Sequence, residues 1–140
     1  LAQEHRFEEA IEEYARSLPA VLGTGAPELR VRTLNGEAMA RAQNGDVQAA
    51  LALLAESRAL VEGESFSDVD RAEVLYRLGV CRYKLSSIAT AVALFNESLS
   101  LAERSGLPCD ELRLNVFAWR SRCYRRCWTG WRCFPASRLT

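Results

Sequence analysis

The chain has 140 residues and a mass of 15.6 kDa, with 49% apolar and 26% charged residues, the size and balance of one globular domain. No apolar run approaches the roughly 20 residues of a membrane-spanning helix. No basic stretch, apolar run and cleavage site follow one another as in a secretory leader, so a cytoplasmic chain is expected. The formal net charge of zero hides a split: residues 1–111 hold all 18 acids against 11 bases, a net −7, whereas residues 112–140 hold seven Arg and no acid, a net +7. Arg outnumbers Lys 17 to 1, which we read as GC-rich coding. Ala and Leu together supply 39 residues, so strong helix formers dominate.

Taken in order, Phe7, Ala10, Ile11, Tyr14 and Leu18 mark one apolar face of an amphipathic helix, with Glu8, Glu9, Glu12 and Glu13 opposite. Pro19 ends it, and Gly23, Thr24, Gly25 and Pro27 form a loop. Pro27 suits the first position of a second helix, about Glu28 to Gln43, which Asn44-Gly45-Asp46 breaks. Asp46 caps a third helix, Val47 to about Val61. Ser67 or Asp68 caps a fourth, about Asp70 to Leu85, and a short break at Ser86-Ser87 leads to a fifth, about Ile88 to Glu103. Ser105-Gly106-Leu107-Pro108 stops that helix. Asp110 caps a sixth, which is expected to reach Arg126. No segment alternates with period two for long, so no sheet is predicted. The fold class expected is all-α, a solenoid of antiparallel helix pairs with about six helices.

Short breaks alternate with longer ones, which pairs the helices and raises the question of repeats. At an offset of 41, Leu34 meets Leu75, Val47 meets Ile88, Ala50 meets Ala91, Leu53 meets Leu94, Leu60 meets Leu101 and Ala55 meets Asn96, and five of these six pairs keep apolar character. Phe7-x-x-Ala10, Val47-x-x-Ala50 and Ile88-x-x-Ala91 give three copies of one pattern.

The stretch AEVLYRLGVCRYKLSSIATAVALFNESLSL resembles the tetratricopeptide repeat: Leu75, Leu78 and Gly79 stand at its large-large-small positions of helix A, and Ala91, Phe95 and Leu99 at its helix-B positions. LNGEAMARAQNGDVQAALALLAESRAL is similar, with Leu34, Ala38, Gly45-Asp46, Ala50 and Leu54, and RFEEAIEEYARSL looks like an earlier helix B. The resemblance covers roughly residues 1–126. It implies a repeat domain made of a helix B (1–18), two copies (28–61 and 70–103) and a helix A (110–126). Departures are Arg82 for the usual aromatic, with Tyr83 beside it, and Ser98 for a small Ala. The spacing is also long, near 41 against about 34 in the family, a length the resemblance connects with bacterial regulators and signalling proteins.

Residues 127–140 break the pattern and are expected to be an irregular tail. Three readings stand. Cys109, Cys123, Cys127 and Cys133 could form a zinc or redox site, although Cys-x-x-x-Cys occurs once and the only histidine, His5, is far off in sequence. Arg120, Arg122, Tyr124, Arg125, Arg126, Trp128, Trp131 and Arg132 could grip nucleic acid. The favoured reading is a change of reading frame near Arg126. The odd count of five Cys argues against a secreted disulfide framework, and Cys81 reads as a small core residue.

Little else carries chemistry. Gly23-Thr24-Gly25 lacks the Lys-Ser/Thr of a phosphate loop, and no nucleophilic triad can be assigned. No enzyme activity, cofactor, metal or membrane contact is expected. The resemblance implies a protein-interaction module that binds a peptide or partner helix in a concave groove. Its exposed positions would be Arg32, Asn35, Met39 and Gln43, then Glu73, Tyr76, Val80, Tyr83 and Lys84. Tyr83 either lines that groove or packs between repeats. The mixed charge argues against a dedicated carboxylate clamp. The chain reads as a fragment of a longer signalling or regulatory protein. Self-association through its incomplete terminal repeats is a further expectation, whereas nucleic acid is only the alternative partner.

Overall fold

A computed structural model of the chain describes residues 6–16, 27–63 and 65–130. Among them are six helices and no strand: α1 (6–16), α2 (Pro27–Gln43), α3 (Val47–Val61), α4 (Asp68–Lys84), α5 (Ile88–Ser105) and α6 (Asp110–Gly130). The helices pack α2 on α3 and α4 on α5, with α3 joining α4 and α6 closing on α5 and α4. This is the all-α stack of helix pairs that the alternating breaks predict.

Local chemistry sets the boundaries. Asp46 accepts from the Ala49 N–H at 3.3 Å and opens α3 after Gly45, whose φ of +96° suits a residue without Cβ. Ser67 and Asp70 form a reciprocal capping box at α4, so that helix starts at Asp68, two residues before the expected start. Gly106, at φ +66°, ends α5 in the left-handed conformation. Asp110 is the first residue of α6, not its cap. That helix continues through Gly130, past the expected stop at Arg126. Its buried residues Leu112, Val116, Cys123 and Cys127 keep one helical face to the end. The rest of the tail, residues 131–140, lies outside the described residues, as do His5 and the stretch 17–26.

Two apolar clusters form the core. One joins α2, α3 and α4 through Ala38, Ala50, Leu54, Val61, Val74 and Cys81 among others. The second joins α4, α5 and α6 through Ala72, Ala91, Phe95, Val116 and Cys123 among others. α4 gives residues to both clusters, so it is covered on two faces. The small residues at the helix crossings are fully buried: Ala38, Ala50 and Ala91 are 0% exposed. At Gly79 an added Cβ would lie 2.5 Å from the Phe95 ring, so glycine is what lets α4 and α5 meet there. Gly36 does the same for α1, because a Cβ there would meet the Tyr14 ring at 2.5 Å.

Candidate functional site

A cleft of about 530 Å³ opens where α1, α2 and α4 meet. Val31 and Phe66, both buried, contribute apolar walls. Glu28, Asp70 and Glu73 bring carboxylates, and Arg32 and Arg77 bring guanidinium groups. Arg77 Nη2 pairs with Glu73, one turn back, at 3.5 Å. Two polar atoms of the lining residues are buried and have no hydrogen-bond partner among the described residues: Asn35 Oδ1, an acceptor, and Arg77 Nε, a donor. A buried polar atom left unmatched costs about 1–3 kcal/mol, and both atoms lie beneath the cleft surface, so a ligand reaches them only when the lining side chains shift.

Of the nine expected groove residues, Arg32, Asn35 and Glu73 line this cleft. Arg32, Gln43 and Lys84 are exposed, and Met39, Glu73, Tyr76 and Tyr83 are half-buried. Asn35 and Val80 correct the expectation of exposure, at 9% and 5%. Asn35 sits under the cleft, and Val80 belongs to the core of α4, α5 and α6. Tyr76 leans on Phe95 with ring centroids 6.4 Å apart, and this burial raises its phenol pKa. Tyr83 meets Trp119 of α6 edge-on at 5.3 Å, with the Arg126 guanidinium 5.2 Å above it. It therefore packs between repeats, the second of its two expected placements. Sequence reasoning missed seven of the ten described lining residues, Tyr14, Glu28, Val31, Gly36, Phe66, Asp70 and Arg77. Gly36 carried a signal, being a glycine inside a helical pattern. Arg77 carried another, four residues after Glu73.

A second cleft of about 530 Å³ lies between α3, α4 and α5, lined by Arg58, Arg71, Leu75, Leu101 and Arg104 among others. Two of its cations are already engaged, because Asp68 binds both Arg104 and Arg71 at 3.0 Å. The hydrogen bond from Arg104, ahead of that from Arg71, holds the Asp68 carboxyl below its ordinary value.

Three arginines of α6 also have partners within the chain. Arg120 donates to Asn96 Oδ1 at 3.0 Å and Arg126 to the Tyr83 carbonyl and Ser86 Oγ, while Arg122 lies 4.6 Å over the Trp119 ring. Among the described residues no group of three or more His, Cys, Asp or Glu could hold a metal. Burial pushes the thiols of Cys81 and Cys123 up to about 11, which keeps them protonated at neutral pH. Cys133 and His5 lie outside the described residues. No described helix is long and apolar enough to cross a membrane.

Paired helices with small residues at each crossing, stacked so that α4 serves two cores, define a helical-repeat protein. Residues 29–104 match the tetratricopeptide repeat, and the chain belongs to that family. The match spans α2 to α5 nearly whole. No curated protein and no solved structure matches the chain. Tetratricopeptide repeats are non-catalytic modules that generally mediate protein–protein interaction.

Proposed function

We propose that this chain binds an extended peptide or a partner helix in the cleft between α2 and α4. The observation that carries the reading is the pairing of Asn35 Oδ1 and Arg77 Nε, buried and unmatched in one lining. A peptide backbone that displaces the lining side chains supplies an N–H for the first and a carbonyl for the second. Val31 and Phe66 offer apolar contact beside them, and the carboxylates and guanidiniums around the cleft select against mismatched charge. Arg32, Asn35 and Glu73 are the groove residues this assigns to direct contact. Met39, Gln43 and Lys84 extend the surface along the same helices.

The unit of the array is proposed as two copies, 28–61 and 70–103, between a helix B at 1–18 and a helix A at 110–126. The long spacing near 41 is supported by corresponding buried residues such as Leu34 with Leu75, Ala50 with Ala91 and Ser57 with Ser98. The Arg-heavy composition and that spacing support a bacterial, cytoplasmic setting as part of a larger signalling or regulatory protein. A frame change near Arg126 is the alternative to a native end of α6, and the two are separated on the coding DNA. Another frame encoding a helix with Ala at the crossing supports the frame change, and neither frame doing so removes it.

The groove is tested by selecting peptides from a displayed random library on the full chain and measuring their affinities. Selected peptides should bind Asn35→Leu at least about tenfold more weakly, a loss of 1.4 kcal/mol, with helix content unchanged. Peptides that bind the variant as well as the parent would remove the cleft from the function.

A further inference from the structure

α6 buries one face and, among the described residues, leaves another uncovered. Leu114, Phe117, Tyr124 and Trp128 follow at steps of three, seven and four, the spacing of an apolar seam between two helices. Leu114 is 68% exposed, Phe117 39% and Trp128 80%. An apolar row of that size on a helix surface marks an interaction site. Arg113 and Arg120 run along one flank, and the Arg120 guanidinium lies 5.1 Å over Phe117 and 6.0 Å over Tyr124. No acid follows Glu111 in the sequence.

The chain itself carries the complementary surface. In α1, Glu8 with Glu12 and Glu9 with Glu13 form two rows of exposed carboxylates, each pair one turn apart. Phe7 and Ile11 of the same helix are only half-buried. The two helices lie against different neighbours: Tyr14 of α1 rests at Gly36 of α2, and α6 packs on α4 and α5. A chain with no net charge is thus acidic at its first described helix and basic at its last.

We propose that the α6 seam of one copy docks α1 of a second copy, head to tail. Phe117, Trp128 and Leu114 would pack on the outer edge of α1 beside the half-buried Phe7 and Ile11, and the Glu8–Glu12 row flanking that edge would face Arg113 and Arg120. The contact joins two different surfaces, so it is heterologous and leaves each pair with one free α1 and one free α6. Association can then extend beyond two copies. Charge at the rim makes it sensitive to salt, whose screening length is about 10 Å at 0.1 M.

Sedimentation velocity of the full chain, across a concentration series at low and high salt, tests this. The mean mass should rise with concentration at low salt and fall back at high salt. Leu114→Ser with Trp128→Ser, at positions the fold leaves exposed, should weaken association at least about tenfold with helix content unchanged. Reversing α1 (Glu8, Glu9, Glu12 and Glu13 to Arg) should abolish it, as should Arg113→Glu with Arg120→Glu. Mixing the two reversed chains should restore it, because each then meets its opposite. A monomer at every concentration overturns the proposal and leaves the α6 face to another protein. Association that survives the Leu114 and Trp128 changes, or the α1 reversal, also overturns it and puts the contact elsewhere.

Discussion

Adding a single carbon to Gly79 would bring it 2.5 Å from Cε1 and 2.7 Å from Cδ1 of Phe95, a side chain with no exposed surface. Gly79→Ala should therefore destabilise the fold by about 1–3 kcal/mol through overpacking. The other helix pair shows the compensation. Ala38 and Leu54 stand at the corresponding places, both fully buried in one cluster. Gly79→Ala combined with Phe95→Leu should thus recover most of the loss, read as non-additivity in denaturant midpoints. Ser98 and Ser57 make a second contrast. Ser98 Oγ donates to the Ala72 carbonyl at 2.7 Å, whereas the equally buried Ser57 Oγ has no partner among the described residues. Ser98→Ala should cost about 1 kcal/mol, and Ser57→Ala should be neutral or stabilising, because it removes an unmatched hydroxyl. Opposite signs from two matched thermal melts would establish this, and equal losses would refute it.

At the scale of the helix, α1 and α2 come close where the Tyr14 ring lies against Gly36. Gly36→Ala would place its Cβ 2.5 Å from Tyr14 Cζ, so the phenol end must swing aside, which loosens α1 against α2. Proteolysis should then cut the α1 region faster while α2 to α5 stay protected. The same glycine shows what the sequence could and could not convey. Periodicity and stop signals located every described helix, because Asn44-Gly45, Ser105-Gly106 and the Ser67–Asp70 pair act on their own neighbourhood. The candidate site was harder to read. Family register put Asn35, Val80 and Tyr83 on one exposed face, but exposure depends on what packs above each helix. Val80 falls into the core shared with α5 and α6, Tyr83 meets Trp119, and Asn35 ends beneath a cleft formed with α1. The continuation of α6 to Gly130 was hidden because a gain of Trp and Cys looks like lost pattern. Cys123 and Cys127 are small enough to pack where Leu or Ala usually would.

Across the molecule, the buried thiols set a limit on the alkaline side. Cys81 and Cys123 titrate near 11 when folded, against an ordinary value of 9.0. A raised folded value means the contribution to stability is complete below pH 9 and is lost as pH climbs towards 11. Stability measured by denaturant should decline across that window, and Cys81→Ala should flatten the decline. A wider consequence comes from α4, whose residues serve both clusters. A helix held between two cores cannot open without exposing both, whereas the outer helices can fray against a single neighbour. Amide exchange should therefore proceed from the rims inward, and the α4 amides should be last, exchanging only when the whole array melts. A repeat protein built this way is a cooperative unit with one latch at its centre, and a ligand seated against α4 would tighten both halves at once.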